Sequence, residues 1–281
     1  AIIDVKNFDD EEYLKNHYIV LCTKHGIIKK TDLKDFSRPR QGGINAINIR
    51  EGDELIQASM TDGNCEIMMA VKSGRAIRFP ETKVRSTGRG GIGVQGIEVD
   101  ETTDEVVGMV CVNTEDKTRT VLVVSEKGYG KRTFLDDPET GEANYRITNR
   151  GGKGVRTIKI TEKTGGLAGL LDVAETQDLM ITCESGITIR MAVKNISEQS
   201  RATQGVKLIR VDENDKIAAI TQIDEQEETE ELLEGEVTPD TNAEVDDNAL
   251  NANIEEDDAD NVEEKDEEEN DDSDADETEE T

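Results

Sequence analysis

Aromatic side chains are scarce in this chain of 281 residues, which has no Trp, four Tyr and four Phe. Single-stranded nucleic acid is usually gripped by stacking bases on aromatic platforms, and a chain so poor in them lacks the means. The two histidines, His17 and His25, are too few for most hydrolytic or metal chemistry, and no Ser/His/Asp or Cys/His arrangement accompanies them. The four cysteines, Cys22, Cys65, Cys111 and Cys183, form no CxxC pair. They are expected to be small thiols in a reducing cytosol and not zinc ligands or disulfides. No signal peptide and no apolar run near the length of a membrane span is present, so a cytoplasmic location without membrane contact is expected. An initiator Met is also missing. The chain opens inside the apolar run Ala1-Ile2-Ile3-Asp4-Val5, which suggests a fragment.

Acidic charge is abundant but confined. Residues 225–281 hold 29 Asp/Glu against the single cation Lys265, so this segment carries −28 of the chain's net −31 and residues 1–224 carry only −3. The segment has too few apolar residues to offset the entropy of ordering it, and is expected to be a disordered acidic tail. Two roles stay open for it: competition with an anionic ligand of the body, or a solvating appendage. The nearly neutral body leaves nucleic-acid binding open despite the low overall pI.

Self-comparison of the body reveals a repeat. Four apolar runs, at residues 18–30, 66–79, 120–133 and 178–191, each break at a Gly turn (Lys24-His25-Gly26, Lys72-Ser73-Gly74, Glu126-Lys127-Gly128, Glu184-Ser185-Gly186) and resume. Each reads as a β-hairpin. A polar connector follows, then a glycine box: Arg40-Gln41-Gly42-Gly43, Arg89-Gly90-Gly91-Ile92-Gly93, Arg150-Gly151-Gly152-Lys153-Gly154 and Thr203-Gln204-Gly205. Alternating triplets after the boxes (Ile47-Asn48-Ile49, Ile97-Glu98-Val99, Ile158-Lys159-Ile160, Ile209-Arg210-Val211) read as short strands. Closing strands follow at residues 55–60, 106–112, 167–173 and 218–223. Four strands per unit, chained at this period, predict an all-β, propeller-like array. The expected blades are 18–62, 66–113, 120–174 and 178–224, preceded by the closing strand of a truncated blade and a linker at 1–17.

The motifs favour binding over catalysis. Gly88-Arg89-Gly90-Gly91-Ile92-Gly93 fits GxGxxG, but a strand pattern follows it where a dinucleotide site needs a helix. Lys153 is followed by Gly154, with no hydroxyl for a phosphate-bound Mg2+. No catalytic residue, metal site or cofactor site is expected in this chain. The cations fall at one stage of each unit, its second arm and connector, and the closing strands have almost none. Such placement predicts a basic stripe along one edge, formed by Arg38, Arg40, Arg85, Arg89, Lys131, Arg132, Arg146, Arg150, Lys153, Arg156 and Arg201, with Gly151, Gly152 and Gly154 allowing close approach. Cations and glycine amides without aromatics suit the phosphates of duplex DNA. No recognition helix is visible, so backbone contact with bent DNA is the expected mode.

These residues resemble the C-terminal domain family of DNA gyrase A, whose box is Gln-Arg-Arg-Gly-Gly-Lys-Gly. Residues 148–154 match it at Arg150, Gly151, Gly152, Lys153 and Gly154, while Thr148 and Asn149 fill its first two places. The turn Lys127-Gly128-Tyr129-Gly130-Lys131-Arg132-Thr133 and the segment Gly52-Asp53-Glu54-Leu55-Ile56 are also similar, and the likeness covers about residues 1–224. The family's box usually lies in the first blade; here it is in the third visible unit. The resemblance implies a β-pinwheel, a propeller-like ring of strand-exchanging blades. It also implies wrapping of double-stranded DNA to set the handedness of a crossing for ATP-dependent negative supercoiling. Implied partners are the rest of gyrase A, with its cleavage tyrosine, and the ATP-binding gyrase B, in a bacterial, nucleoid-associated heterotetramer. The alternatives are the C-terminal domain of topoisomerase IV, acting in decatenation, and a propeller-like scaffold that binds protein.

Overall fold

The computed structural model describes residues 3, 5, 8–38, 40–113 and 115–224. The chain divides into a unit Ala1–Glu228 and a unit Thr229–Thr281. The expected disordered tail lies outside the described residues, as does most of the opening apolar run. The description below concerns the first unit.

The hairpins fold as the Gly-interrupted runs predict: β1 (Tyr18–Thr23) with β2 (Ile27–Asp32), β4 (Glu66–Val71) with β5 (Arg75–Pro80), β8 (Thr120–Ser125) with β9 (Tyr129–Phe134), and β12 (Asp178–Cys183) with β13 (Thr188–Ala192). The closing strands β3 (Leu55–Thr61), β7 (Val106–Val112), β11 (Leu167–Val173) and β15 (Ile217–Ile223) each pair with the first strand of their own hairpin. The result is an all-β, four-bladed, propeller-like array. A short helix, α1 (Glu11–Asn16), precedes it; its N-cap Asp10 accepts from the amides of Glu12 and Tyr13 at 2.9 and 3.0 Å.

The outer strand of each blade departs from the expectation. The alternating triplets are not strands. Instead, the two residues directly after each of the last three boxes cross to the preceding blade: β6 (Val94–Gln95) pairs with β2, β10 (Val155–Arg156) with β5, and β14 (Val206–Lys207) with β9. The sheet orders are therefore β3-β1-β2-β6, β10-β5-β4-β7 and β11-β8-β9-β14, and the fourth sheet has three strands, β13-β12-β15. Each of the first three blades is completed by its successor. The first residues of the later triplets, Ile97, Ile158 and Ile209, are buried in the three cores between blades, which explains their apolar character without a ladder.

Successive sheets stack face to face. One core joins Val20, Cys22 and Ile28 to Ile67, Met69, Ile77 and Phe79. A second joins Met68, Ala70 and Val110 to Val121, Val123 and Leu170. A third joins Leu122 and Val124 to Leu179, Ile181 and Ile217. Alternate residues of β4 and β8 thus serve opposite cores, which is why these strands read as unbroken apolar runs. Strand β12, at the end of the stack, reverts to strict alternation of buried and half-buried residues.

Candidate nucleic-acid interface

Consecutive closing strands pack against one another, β3 on β7, β7 on β11 and β11 on β15, so they form the inner edges of the sheets. The exchanged dipeptides form the opposite, outer edges of the first three. Because each dipeptide directly follows a box, the boxes lie along the outer perimeter. They are tied in series: the Asn48 amide donates to the Gly91 carbonyl at 3.2 Å, Glu98 to Gly152 at 3.0 Å, and Lys159 to Thr203 at 3.1 Å. The middle residue of each alternating triplet thus supports the box of the next unit.

Most of the cations expected on the stripe are on this perimeter. Arg38, Arg40, Arg85, Arg146, Arg150, Lys153 and Arg156 are exposed, while Arg89 and Arg201 are half-buried. Among the described residues, none of these nine pairs with a carboxylate. Backbone carbonyls aim some of them: Arg150 donates through Nε to Lys83 O and through Nη1 to Gln95 O, both at 3.1 Å, and Arg201 Nη1 donates to Arg156 O at 3.3 Å. The hairpin-turn end differs. There Lys24 and Lys72 share Glu105 at 2.9 and 3.3 Å, Lys72 also reaches Glu126 at 3.1 Å, and Lys216 meets Glu184 at 3.3 Å. Among the described residues, Lys24, Lys72 and Lys216 at the turn end are paired with carboxylates and the nine box-side cations are not.

Two residues of the stripe are placed elsewhere. Lys131 and Arg132 are 0% and 3% exposed. Arg132 Nε donates to Ile196 O at 2.8 Å, and its guanidinium pairs with Glu175 and Glu198 at 3.0 and 3.3 Å. Lys131 Nζ donates to Ser200 O and, at 3.0 Å, to Thr203 Oγ1, holding the fourth box from beneath. With no carboxylate partner, burial and then Arg201 pull its pKa down to about 7. The equivalent Lys29 holds the second box through Arg89 O at 3.1 Å and also reaches Ala46 O at 2.6 Å. Its pKa is likewise lowered, chiefly by burial.

A repeated internal column was not apparent in the sequence. Lys30, Arg78 and Arg132 occupy one register position, and each reaches into the next unit. The Thr87, Thr148 and Gln199 amides donate to their carbonyls at 2.9 Å each. Lys30 pairs with Glu81 at 2.7 Å, and Arg78 with Asp136 at 2.6 Å. The Arg78 guanidinium also binds Glu66, Leu135 O and Tyr145 O. The long connector of the third unit is thus clasped by the blade before it.

The glycines also divide. Gly154 has φ +72°, and a Cβ there would strike the Ala76 carbonyl. The equivalent Gly93 and Gly205 meet the Ile28 and Gly130 carbonyls at 2.6 and 2.7 Å. This glycine lets the exchanged strand dock on its neighbour, so protein backbone and not a ligand occupies its bare side. At Gly151 and Gly152 a built Cβ meets nothing nearer than 3.7 Å, which is ordinary contact. Gly154→Ala is expected to cost about 2 kcal/mol or more in chemical denaturation, from left-handed strain plus the clash. An unchanged midpoint with unchanged slope would contradict the role.

The comparisons with known proteins agree with this architecture. The family described as "DNA gyrase C-terminal domain, beta-propeller" matches residues 17–62, 66–113, 119–137, 140–174 and 177–224. The DNA gyrase A protein of Staphylococcus aureus is 39% identical over 230 residues, 82% of this chain and 24% of that protein, so the chain spans about a quarter of the length of the curated relatives it matches. A solved DNA gyrase A C-terminal domain aligns at TM-score 0.63 and 25% identity, over 74% of this chain and 66% of its own. The C-terminal domain of DNA topoisomerase IV aligns at TM-score 0.69 and 21% identity, over 79% and 65%, a likeness of fold alone. With matched segments running through all four blades, this chain belongs to the DNA gyrase C-terminal domain family.

Proposed function

We propose that this chain is the DNA-wrapping part of a gyrase A protein and bends duplex DNA along its box-bearing perimeter. The observation that carries the reading is the row of nine cations on the outer edges that have no carboxylate partner among the described residues, opposite a turn end where Lys24 and Lys72 are paired with Glu105 and Glu126. Backbone phosphates are the matching ligand, and the absence of any reading helix among the described residues leaves sequence preference to the deformability of the bent DNA. In the whole enzyme, the remainder of gyrase A and its gyrase B partner supply strand cleavage and ATP. This chain fixes the handedness of the crossing before negative supercoiling, in the bacterial cytoplasm. It needs no cofactor of its own.

Arg150 and Lys153 sit at the box with the fullest match. Arg150→Ala with Lys153→Ala is expected to weaken duplex binding alike for unrelated sequences and to lower the salt slope by about two. Titration of duplex DNA at several salt concentrations measures both. Affinity and slope equal to the parent's would overturn the assignment. A supercoiling assay of full-length gyrase A with gyrase B distinguishes gyrase from a decatenating relative.

A further inference from the structure

The second unit carries a chemical group that its sister units do not. Register aligns Cys65 with His17, Arg119 and Gln177, and Cys111 with Met60, Asp172 and Gln222. Directly after the second hairpin strand, the other units place apolar Leu33, Leu135 and Val193, whereas the second unit buries Glu81 completely. In the third unit the corresponding residues form an ion pair, with Arg119 Nε on Asp172 Oδ2 at 2.6 Å. In the second unit two thiols and a carboxylate converge instead. Cys65 Sγ lies 2.8 Å from Glu81 Oε2, and Cys111, which pairs with Ile67 two residues along, lines the same cleft as Cys65.

The two oxygens of Glu81 are used differently. Oε1 takes Lys30 Nζ and Thr61 Oγ1, both at 2.7 Å, which accounts for the structural ion pair between the first two blades. Oε2 points at the thiol. The exposed Asp62 completes the group: one ligand atom each from Asp62, Cys65 and Glu81 lies within 4.8 Å of the others. Ligand atoms around a tetrahedral ion with bonds of about 2.0–2.3 Å are about 3.5 Å apart, which lies within this limit. An open cleft of about 340 Å³ above the group is lined by Met60, Asp62, Asn64, Cys65, Cys111 and Glu115, giving a hydrated ion access from solvent.

We propose that Asp62, Cys65, Glu81 and Cys111 form a binding site for a thiophilic divalent cation of the zinc type. Paired thiolates select such an ion over Mg2+ or Ca2+, and carboxylates complete a mixed sulfur–oxygen set. As two metal–sulfur bonds form, two S–H protons pass to solvent, and no redox step is involved. The bound ion clips the β3–β4 connector, through Asp62 and Cys65, to the far strand β7, through Cys111. It does so at the join between the first two blades, next to the Lys30–Glu81 tie. The pairing has no CxxC signature because Cys65 and Cys111 are far apart in sequence and meet only through strand register.

The test uses the full chain, reduced and freed of metal, titrated with Co2+ and then Zn2+. The expected result is one equivalent of Co2+ giving a thiolate-to-metal charge-transfer band that Zn2+ abolishes, with a rise in Tm on adding Zn2+. Cys65→Ser with Cys111→Ser is expected to lose the band and the Tm shift, whereas Cys183→Ala keeps both. Asp62→Asn alters an exposed side chain and preserves folding; it is expected to weaken Zn2+ at least about tenfold, in line with loss of a metal-site group. Cation uptake without a thiolate band would place the metal on the acidic segment and overturn the proposal. So would a band retained in the double cysteine variant, or Zn2+ affinity unchanged in Asp62→Asn.

Discussion

Replacing Arg78 with alanine is expected to destabilise the array by about 3–5 kcal/mol, the usual cost of stripping one partner from a buried ion pair. The guanidinium is 3% exposed and contacts two carboxylates, Glu66 and Asp136, and two carbonyls, Leu135 O and Tyr145 O. Alanine leaves Glu66 half-enclosed without its cation and frees the long third connector that Asp136 and Tyr145 anchor. Arg78 also holds the Asp136 carboxyl below the usual carboxylate range, so part of the stabilisation fades as pH falls through the lowered folded value. Arg78→Lys keeps the charge but loses the planar fork and is expected to recover only part of the loss. Urea unfolding of both variants measures this. A loss below about 1 kcal/mol for Arg78→Ala would show that solvent replaces the guanidinium freely.

The second large effect concerns pH. Lys131 has a folded pKa of about 7 against the ordinary 10.5. Below pH 7 it is protonated both folded and unfolded, and the penalty for burying its charge is fully present. Between pH 7 and 10.5 the unfolded chain binds the extra proton, so stability rises with pH. The full relief, from 10.5 down to about 7, amounts to about 5 kcal/mol at 1.36 kcal/mol per pKa unit. Lys131→Met has no such titration. The parent is therefore expected to gain about 4 kcal/mol on the variant between pH 6.5 and pH 10, with the first half of that gain already visible near pH 8.5. Parallel stability–pH curves for the two proteins would rule this out.

Hairpins and closing strands were legible because a glycine turn between two apolar runs has few other solutions. The partner of the outer strand was not. Alternation in Ile97-Glu98-Val99 reports that Ile97 is buried, but the same pattern arises in a ladder or in a segment laid over a neighbouring core. On the perimeter, Arg150, Lys153 and Arg146 were recognisable because connectors and boxes lie outside any sheet, and Arg156 because it follows its box directly. Lys131 and Arg132 were misread for a reason the stacking supplies. A strand covered on both faces has no solvent side, so a cation in the middle of such a strand must point inward. Their placement inside β9, between buried Gly130 and Thr133, was the available signal. Cys65 and Cys111 were read separately because sequence spacing carries no information about register.

Strand exchange gives the array a direction. Among the described residues the second and third units each lend a strand backward and borrow one from ahead, so a unit has a donor side and an acceptor side, and neither is self-complementary. A copied unit inserted anywhere in the row finds a socket before it and a strand after it, which makes blade number an easily varied quantity. The unpaired edge is always passed to the last blade, and among the described residues β13 holds it. Whatever length the row reaches, only its leading edge remains to be closed.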